Sequence, residues 1–261
     1  MAGLPRKAVA MGLGKKIGIG IAAVTVVLGL GIAITIAAVS EDRPTGTTGA
    51  PADELASKTE AAVNLEAWKR TGAVEWTFGG RRRHLWDRTR GYTRMTKGEL
   101  TVWLDLTSKK GAAVEGGKPL SGDALKTALE DCWAAWVNDA FWLNPVAKLR
   151  DDGVTLSVVE RDGKPALLAS YGSGGLTPGD AYLWILGEDG KPTRWLMWTS
   201  NIPVGGTPSS WGGWTELPTG AWISTQHSLG PATLELGDVK AAATLSELYS
   251  DDPFAPLIPA L

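Results

Sequence analysis

An uncharged run from Ile17 to Val39 (IGIGIAAVTVVLGLGIAITIAAV) constrains this chain more than any other feature in it. At ~1.5 Å rise per residue, a helix of that length reaches about 34 Å, enough to cross a hydrocarbon core of roughly 30 Å. A buried helix of a globular domain is rarely so long and so evenly apolar. The competing reading is a cleaved signal peptide, because Thr35-Ile36-Ala37 has the small-x-small form of a cleavage site. The apolar core of such peptides runs only about 7–15 residues, so length favours an uncleaved anchor. Arg6, Lys7, Lys15 and Lys16 all precede the run, with no acid among them. That asymmetry predicts residues 1–16 in the cytoplasm, a transmembrane anchor over 17–39, and the rest of the chain outside. The expectation is a single-pass protein of the cytoplasmic membrane, its main domain extracytoplasmic (periplasmic in a Gram-negative cell). The bilayer is its first expected partner. No cysteine stands directly after the span, which excludes a bacterial lipoprotein anchor. Gly18-x-Gly20-x-x-Ala23 imitates a dinucleotide fingerprint, but it has no strand before it and no acid beyond. Gly29, Ala33 and Ala37 leave a close helix–helix contact open, against the ordinary abundance of small residues in spans.

The formal net charge of −2 includes those four N-terminal cations, so the remainder of the chain is more acidic than the total suggests. An acidic domain has no generic attraction for nucleic acid, and none is expected as a partner. The single cysteine, Cys132, rules out an intrachain disulfide and any cysteine-based metal cluster.

Residues 40–52 (SEDRPTGTTGAPA) are rich in Pro, Gly and Thr without an apolar period and read as a flexible linker. Asp53 is placed to cap a helix running to Trp68. From Ala73 the pattern turns to short extended runs separated by glycine-bearing turns: 73–78, 83–89, 92–95, 100–106 and 112–115. A long helix follows, opened by Ser121-Gly122-Asp123, with Leu125, Ala128, Leu129, Cys132, Trp133 and Trp136 at helical spacing. Asn144-Pro145 ends it. Strands resume over 154–160, 166–171, 181–186, 194–199, 214–217, 222–229 and 233–239. Two turns share the text Asp-Gly-Lys-Pro, at Asp162–Pro165 and Asp189–Pro192, and Asp-Gly between extended runs signals an antiparallel hairpin. Residues 249–261 hold three prolines and read as a tail or a sheet-edge cover. The domain is thus expected over 53–248. Its class is mainly β (α+β): an antiparallel curled sheet or unclosed β-barrel with one or two helices packed on it.

A half-buried strand alternates apolar and polar residues, yet Ala181–Leu186 (AYLWIL) and Trp195–Trp198 (WLMW) are apolar on both faces. One face can meet the helix. The other calls for a second sheet, the rest of a curled barrel, or a ligand. Thirteen tryptophans stand against three phenylalanines and four tyrosines. A large, stiff indole with one N–H suits the wall of a cavity, and serves equally as ordinary core. The candidates to line such a cavity are Trp76, Trp86, Trp103, Trp184, Trp195, Trp198 and Trp222; strand phase alone does not say which point inward.

Catalytic signatures are not evident. His84 and His227 are the only histidines, neither is spaced for zinc, and no Gly-x-Ser-x-Gly elbow occurs. No cofactor is expected. Arg81-Arg82-Arg83 reads as a solvated turn or as a small anion site, and Cys132 as an inert buried thiol. Gly205–Ser210 followed by Trp211-Gly212-Gly213-Trp214 reads as a connecting loop or as a lid.

In this layout, Trp76-Thr77-Phe78, the central helix and the turn Ile185–Trp195 are similar to the lipoprotein-carrier superfamily, the LolA-like and LppX-like envelope proteins. The stretches Asn138–Leu143, Lys148-Leu149 and Asp152-Gly153-Val154 resemble membrane-anchored envelope proteins of the same type. The resemblance covers residues 68–239. It implies an unclosed barrel plugged by helices and a binding or carrier role toward lipid or lipoprotein acyl chains, without catalysis. An anchor departs from the soluble carriers and argues against free shuttling. The alternative is a non-catalytic envelope interaction or sensory module with a filled core, whose protein partner the sequence does not identify.

Overall fold

The computed structural model describes residues 39–261, and the body of the protein runs from Arg43 to Leu261. Its elements in chain order are α1 (Ala50–Ala62), α2 (Leu65–Arg70), β1 (Ala73–Phe78), β2 (Arg82–Asp87), β3 (Tyr92–Lys97), β4 (Leu100–Asp105), β5 (Gly111–Glu115) and β6 (Lys118–Pro119). Then come α3 (Gly122–Leu143), β7 (Val154–Arg161), β8 (Lys164–Tyr171), β9 (Ala181–Leu186), β10 (Pro192–Trp198), β11 (Thr207–Ser210), β12 (Gly212–Glu216), β13 (Trp222–Leu229) and β14 (Ala232–Ala242). Most of these follow the alternation and turn signals to within two or three residues. The two-residue strand β6 and the short β11 do not announce themselves in the sequence.

The hairpins arise from local chemistry. Asp162 and Gly163 between β7 and β8 have φ of 54° and 71°, as a type I′ turn demands of both central residues. The second Asp-Gly works differently. It lies in a longer loop between β9 and β10, closed by the Gly187 amide donating to the Lys191 carbonyl, 2.8 Å.

Successive hairpins give two antiparallel sheets. The larger has the order β12-β13-β14-β1-β2-β3-β4-β5-β6 and the smaller β11-β10-β9-β8-β7. The chain steps from one to the other at Trp211, the single residue between β11 and β12. There β13 reaches across: the Ser228 amide donates to Ser210 Oγ, and His227 Nδ1 donates to the Ser210 carbonyl. Neither β6 nor β7 pairs with the opposite sheet, so the two sheets do not close into a barrel. Helix α3 packs on both sheets. Its first half packs Ala128 and Cys132 on Met95, Val102, Leu104 and Ala113 of the larger sheet. Its second half reaches Trp76 and Leu236 on that sheet and, through Phe141 and Trp142, Trp195 on the smaller one.

Three stretches depart from expectation. The helix expected from Asp53 to Trp68 is two helices, broken at Asn64, whose left-handed φ of 51° is held by Nδ2 donating to the Gly220 carbonyl, 2.8 Å. The 40–52 linker is partly structured: Thr47 and Val158 exchange both backbone hydrogen bonds on the outer edge of β7, and α1 begins at Ala50. The C-terminal stretch covers a sheet face instead of an edge, burying Phe254 and Leu257 on Leu85 and Tyr92. It is also clamped there by Arg90 donating twice to Asp252 at 2.8 Å. The two-faced strands are apolar on both sides as read. Trp184 and Trp195 join the cluster under α3, whereas Leu183 and Leu196 form a separate buried cluster with Ala166 and Leu168. The 17–39 anchor falls outside the described residues but for Val39. Among the described residues no helix is long and apolar enough to cross a membrane.

Candidate functional site

Ala128, Cys132, Asp139 and Leu143 form the buried stripe of α3, so one position on an apolar stripe holds a carboxylate. A buried charge is tolerated only when paired and fully hydrogen-bonded. Asp139 meets that condition. Arg82 donates through Nε and Nη2 at 2.7 Å to its two oxygens, His84 Nε2 at 2.7 Å, and Asn138 Nδ2 at 2.9 Å. Burial pushes the carboxyl upward, but the hydrogen bonds from His84 and Arg82 outweigh it and hold Asp139 below the ordinary aspartate range. Trp76 stacks on His84 with ring centroids 4.7 Å apart. Strand alternation explains the arrangement. Trp76 pairs with His84 and Phe78 with Arg82 across β1 and β2, all on the face that meets α3. Arg83 points the other way to Glu75, 2.6 Å. The arginine run is therefore neither a free turn nor an open anion site, since two of its members serve buried carboxylates. Burial pushes the Cys132 thiol to about 12, with the Asp139 charge adding to it, so it stays protonated at neutral pH.

His84, Asp139 and Cys132 do not line the aromatic cleft beside α3. That cleft, about 480 Å³, lies beside the second half of α3 and is walled from three directions. Trp68, Trp86 and Arg88 come from α2, β2 and the turn after β2; Trp133, Trp136 and Phe141 from α3; Tyr171, Leu176 and Tyr182 from β8, β9 and their connection. The rings interlock. Trp136 meets Trp86 edge-on at 5.1 Å, and Phe141 meets Tyr171 at 5.5 Å and Tyr182 at 5.1 Å. Burial raises both tyrosines above the usual phenol range, which keeps these walls uncharged. Arg88 lies over the faces of Trp68 and Trp86, centroids 4.5 and 5.1 Å away, and donates to the carbonyls of Trp68 and Thr71. Burial brings its pKa down to about 10, so it remains a cation at neutral pH. Asp180 borders the opposite end, held by the Thr177 hydroxyl at 2.5 Å and the Ser200 amide at 3.1 Å. Among the described residues no group of three His, Cys, Asp or Glu side chains is placed to hold a metal ion.

The seven tryptophans singled out from sequence are dispersed. Trp86 lines the cleft. Trp76 is buried against His84. Trp184 and Trp195 are fully buried in the aromatic core with Trp211, and Trp198 lies on the other face of β10. Trp103 faces the C-terminal segment and donates to the Pro253 carbonyl, 2.9 Å. Trp222 carries Lys191 over its ring at 4.3 Å. The Gly205–Trp214 stretch is not a lid. Trp211 is 4% exposed within the core and Trp214 donates to the Pro192 carbonyl, 3.1 Å. The cleft is bordered by 173–177 instead. Trp133 and Trp136 fit the core period of α3, so the sequence alone does not mark them as cleft residues. Arg88 carries no sequence signal of its own.

No protein-family model and no curated protein matches the chain. Among solved structures it is similar to a DUF1329 family protein from Desulfovibrio piger, with 12% sequence identity and a TM-score of 0.41, over 78% of this chain and 98% of that one. A likeness that distant carries no functional assignment.

Proposed function

We propose that this protein is a non-catalytic, membrane-tethered binding domain for a hydrophobic ligand, a lipid or an acyl chain, held outside the cytoplasmic membrane. The observation that carries the reading is the aromatic cleft over α3. Its volume, about 480 Å³, falls in the roughly 300–1,000 Å³ range of small-molecule sites, which are walled mainly by apolar groups with a few polar ones. A curled sheet left open on one side supplies such a space without disturbing the packed core. The apolar N-terminal run and its preceding cations support the tether. The low dielectric around Tyr171 and Tyr182 suits an aliphatic occupant.

The test is native mass spectrometry of the full chain released from detergent micelles, with organic extraction of what co-purifies, beside uptake of an uncharged pyrene-labelled acyl ester. A stoichiometric lipid, or uptake weakened about tenfold by Trp136→Ser, supports the reading. A clean apo mass with no uptake overturns it. That outcome favours an interaction module, for which Trp184, Trp195 and Trp211 filling the interior under α3 already speak.

A further inference from the structure

The polar groups along the cleft are unevenly matched. Buried side-chain atoms without a hydrogen-bond partner include Trp86 Nε1, Arg88 Nε, Trp136 Nε1 and Asn144 Nδ2, and all four residues line the cleft. Each of these atoms is a donor with no acceptor. Asn144 is 6% exposed, and its amide orientation is fixed because Oδ1 already accepts from the Ala147 amide. A buried donor left unmatched costs about 1–3 kcal/mol, so four gathered in one place need a reason. Arg88 adds a full charge. Its polar contacts are the two carbonyls at the end of α2, and no carboxylate pairs with it among the described residues. The opposite end has an unmatched group too, the Tyr171 hydroxyl, but its charged groups are mainly acids. Asp180 and Asp152 line it, as does Asp151, which Lys148 pairs at 2.6 Å.

We infer that the α2–β2 end of the cleft is the seat of an anionic, oxygen-bearing head group, and that the ligand is a single-chain amphiphile carrying a carboxylate or a phosphate. Arg88 supplies the charge; Trp86, Trp136 and Asn144 supply the donors that the head-group oxygens complete. The alkyl chain runs along Phe141 and Tyr182 toward the β8–β9 connection. The acids there exclude the opposite orientation, because like charge repels the head group. The donor atoms are sealed from solvent in the free protein, so binding includes a turn of an indole toward the head group. This inference rests on the binding reading above and names the class of its ligand.

The experiment compares three pyrene-labelled probes on the full chain: a fatty acid, the matching lysophosphatidate and the uncharged methyl ester of the acid. The wild-type protein is expected to hold at least one anion about tenfold or more tighter than the ester, and the preferred anion identifies the head group. Arg88→Gln should weaken the preferred anion about tenfold more than the ester, erasing that preference, and Arg88→Lys should keep much of it. Equal affinity for acid, lysophosphatidate and ester overturns the inference and leaves the binding reading standing. Loss of affinity for all three probes alike in Arg88→Gln, with the preference intact, makes Arg88 only a cap on α2 and overturns its assignment. Failure of the wild-type protein to bind any probe removes both readings.

Discussion

At the residue scale, the two histidines have been given opposite tasks by their surroundings. His84 shares Asp139 with Arg82, so its ring is one of several donors to a buried anion. His227 has no acid. It donates from Nδ1 to the Ser210 carbonyl, lies against Trp211 and Trp142 with centroids 4.3 and 5.1 Å away, and keeps Nε2 without a partner. Burial lowers its pKa to about 4. A group whose folded pKa is depressed favours its deprotonated form in the native state. Its contribution is therefore present above the unfolded value, about 6.5, and is lost as pH falls toward the folded one. Between pH 7 and pH 4.5 this residue should cost the fold about 2 kcal/mol. His227→Asn keeps a donor near the same place and does not titrate, so its urea midpoint should be flatter over that range. Parallel midpoints for the two proteins would show that His227 is not the acid-sensitive group. Asp139 acts lower on the scale. Its depressed carboxyl adds stability above the ordinary aspartate value of about 3.9, lost on further acidification.

At the element scale, α3 decides how much of the interior remains for a ligand, and one glycine sets how closely it lies. A Cβ on Gly111 would collide with the Trp103 carbonyl oxygen and come within 2.5 Å of Leu129 Cδ2. Backbone of β4 and a leucine of α3 thus meet over β5 where only hydrogen fits. Gly111→Ala should destabilise the fold by about 1–3 kcal/mol, the usual cost of overpacking, read from chemical denaturation. An unchanged midpoint would mean that α3 rides higher on the sheet than the structure places it. The sequence tells this story in part. The period of Leu125, Ala128 and Cys132 identifies α3 and its core face, and Asp162-Gly163 identifies a hairpin, because both signals are local. Continued for two more turns, the same period puts Asp139 on the apolar stripe. A carboxylate there demanded a buried cation, which the Arg82–His84 strand supplies. The cleft could not be read in this way. It depends on Trp86 and Trp136 meeting from β2 and α3 and on the β8–β9 connection closing from another sheet, contacts distant in sequence. Apolar two-faced strands point to tryptophans on the sheets, whereas α2 and α3 contribute four of those that wall the space: Trp68, Trp133, Trp136 and Trp142.

At the scale of the molecule, the cleft is lined from both sheets. The larger sheet presents Trp86 and Arg88, the smaller presents Tyr182, and α3 spans both, so one occupant touches every layer of the fold. Elsewhere the layers are already locked, by the Asp139 cluster within the interior and by the Arg90–Asp252 clamp on the far face of the larger sheet. An occupant that bridges the open side binds the native state and has no counterpart in the unfolded chain. By mass action it stabilises by about 2.7 kcal/mol when present at a hundred times its dissociation constant. For a domain of this size, 1 kcal/mol moves a melting temperature by roughly 2–4 °C. Saturating pyrene-labelled fatty acid should therefore raise the melting temperature by about 5–10 °C, followed by circular dichroism. Trp136→Ser, which removes the ring where the two walls meet, should reduce that rise more than it lowers the melting temperature of the free protein. A filled interaction module makes the opposite demand: amphiphiles find no native site and, by solvating the exposed unfolded core, leave the transition unmoved or lower it.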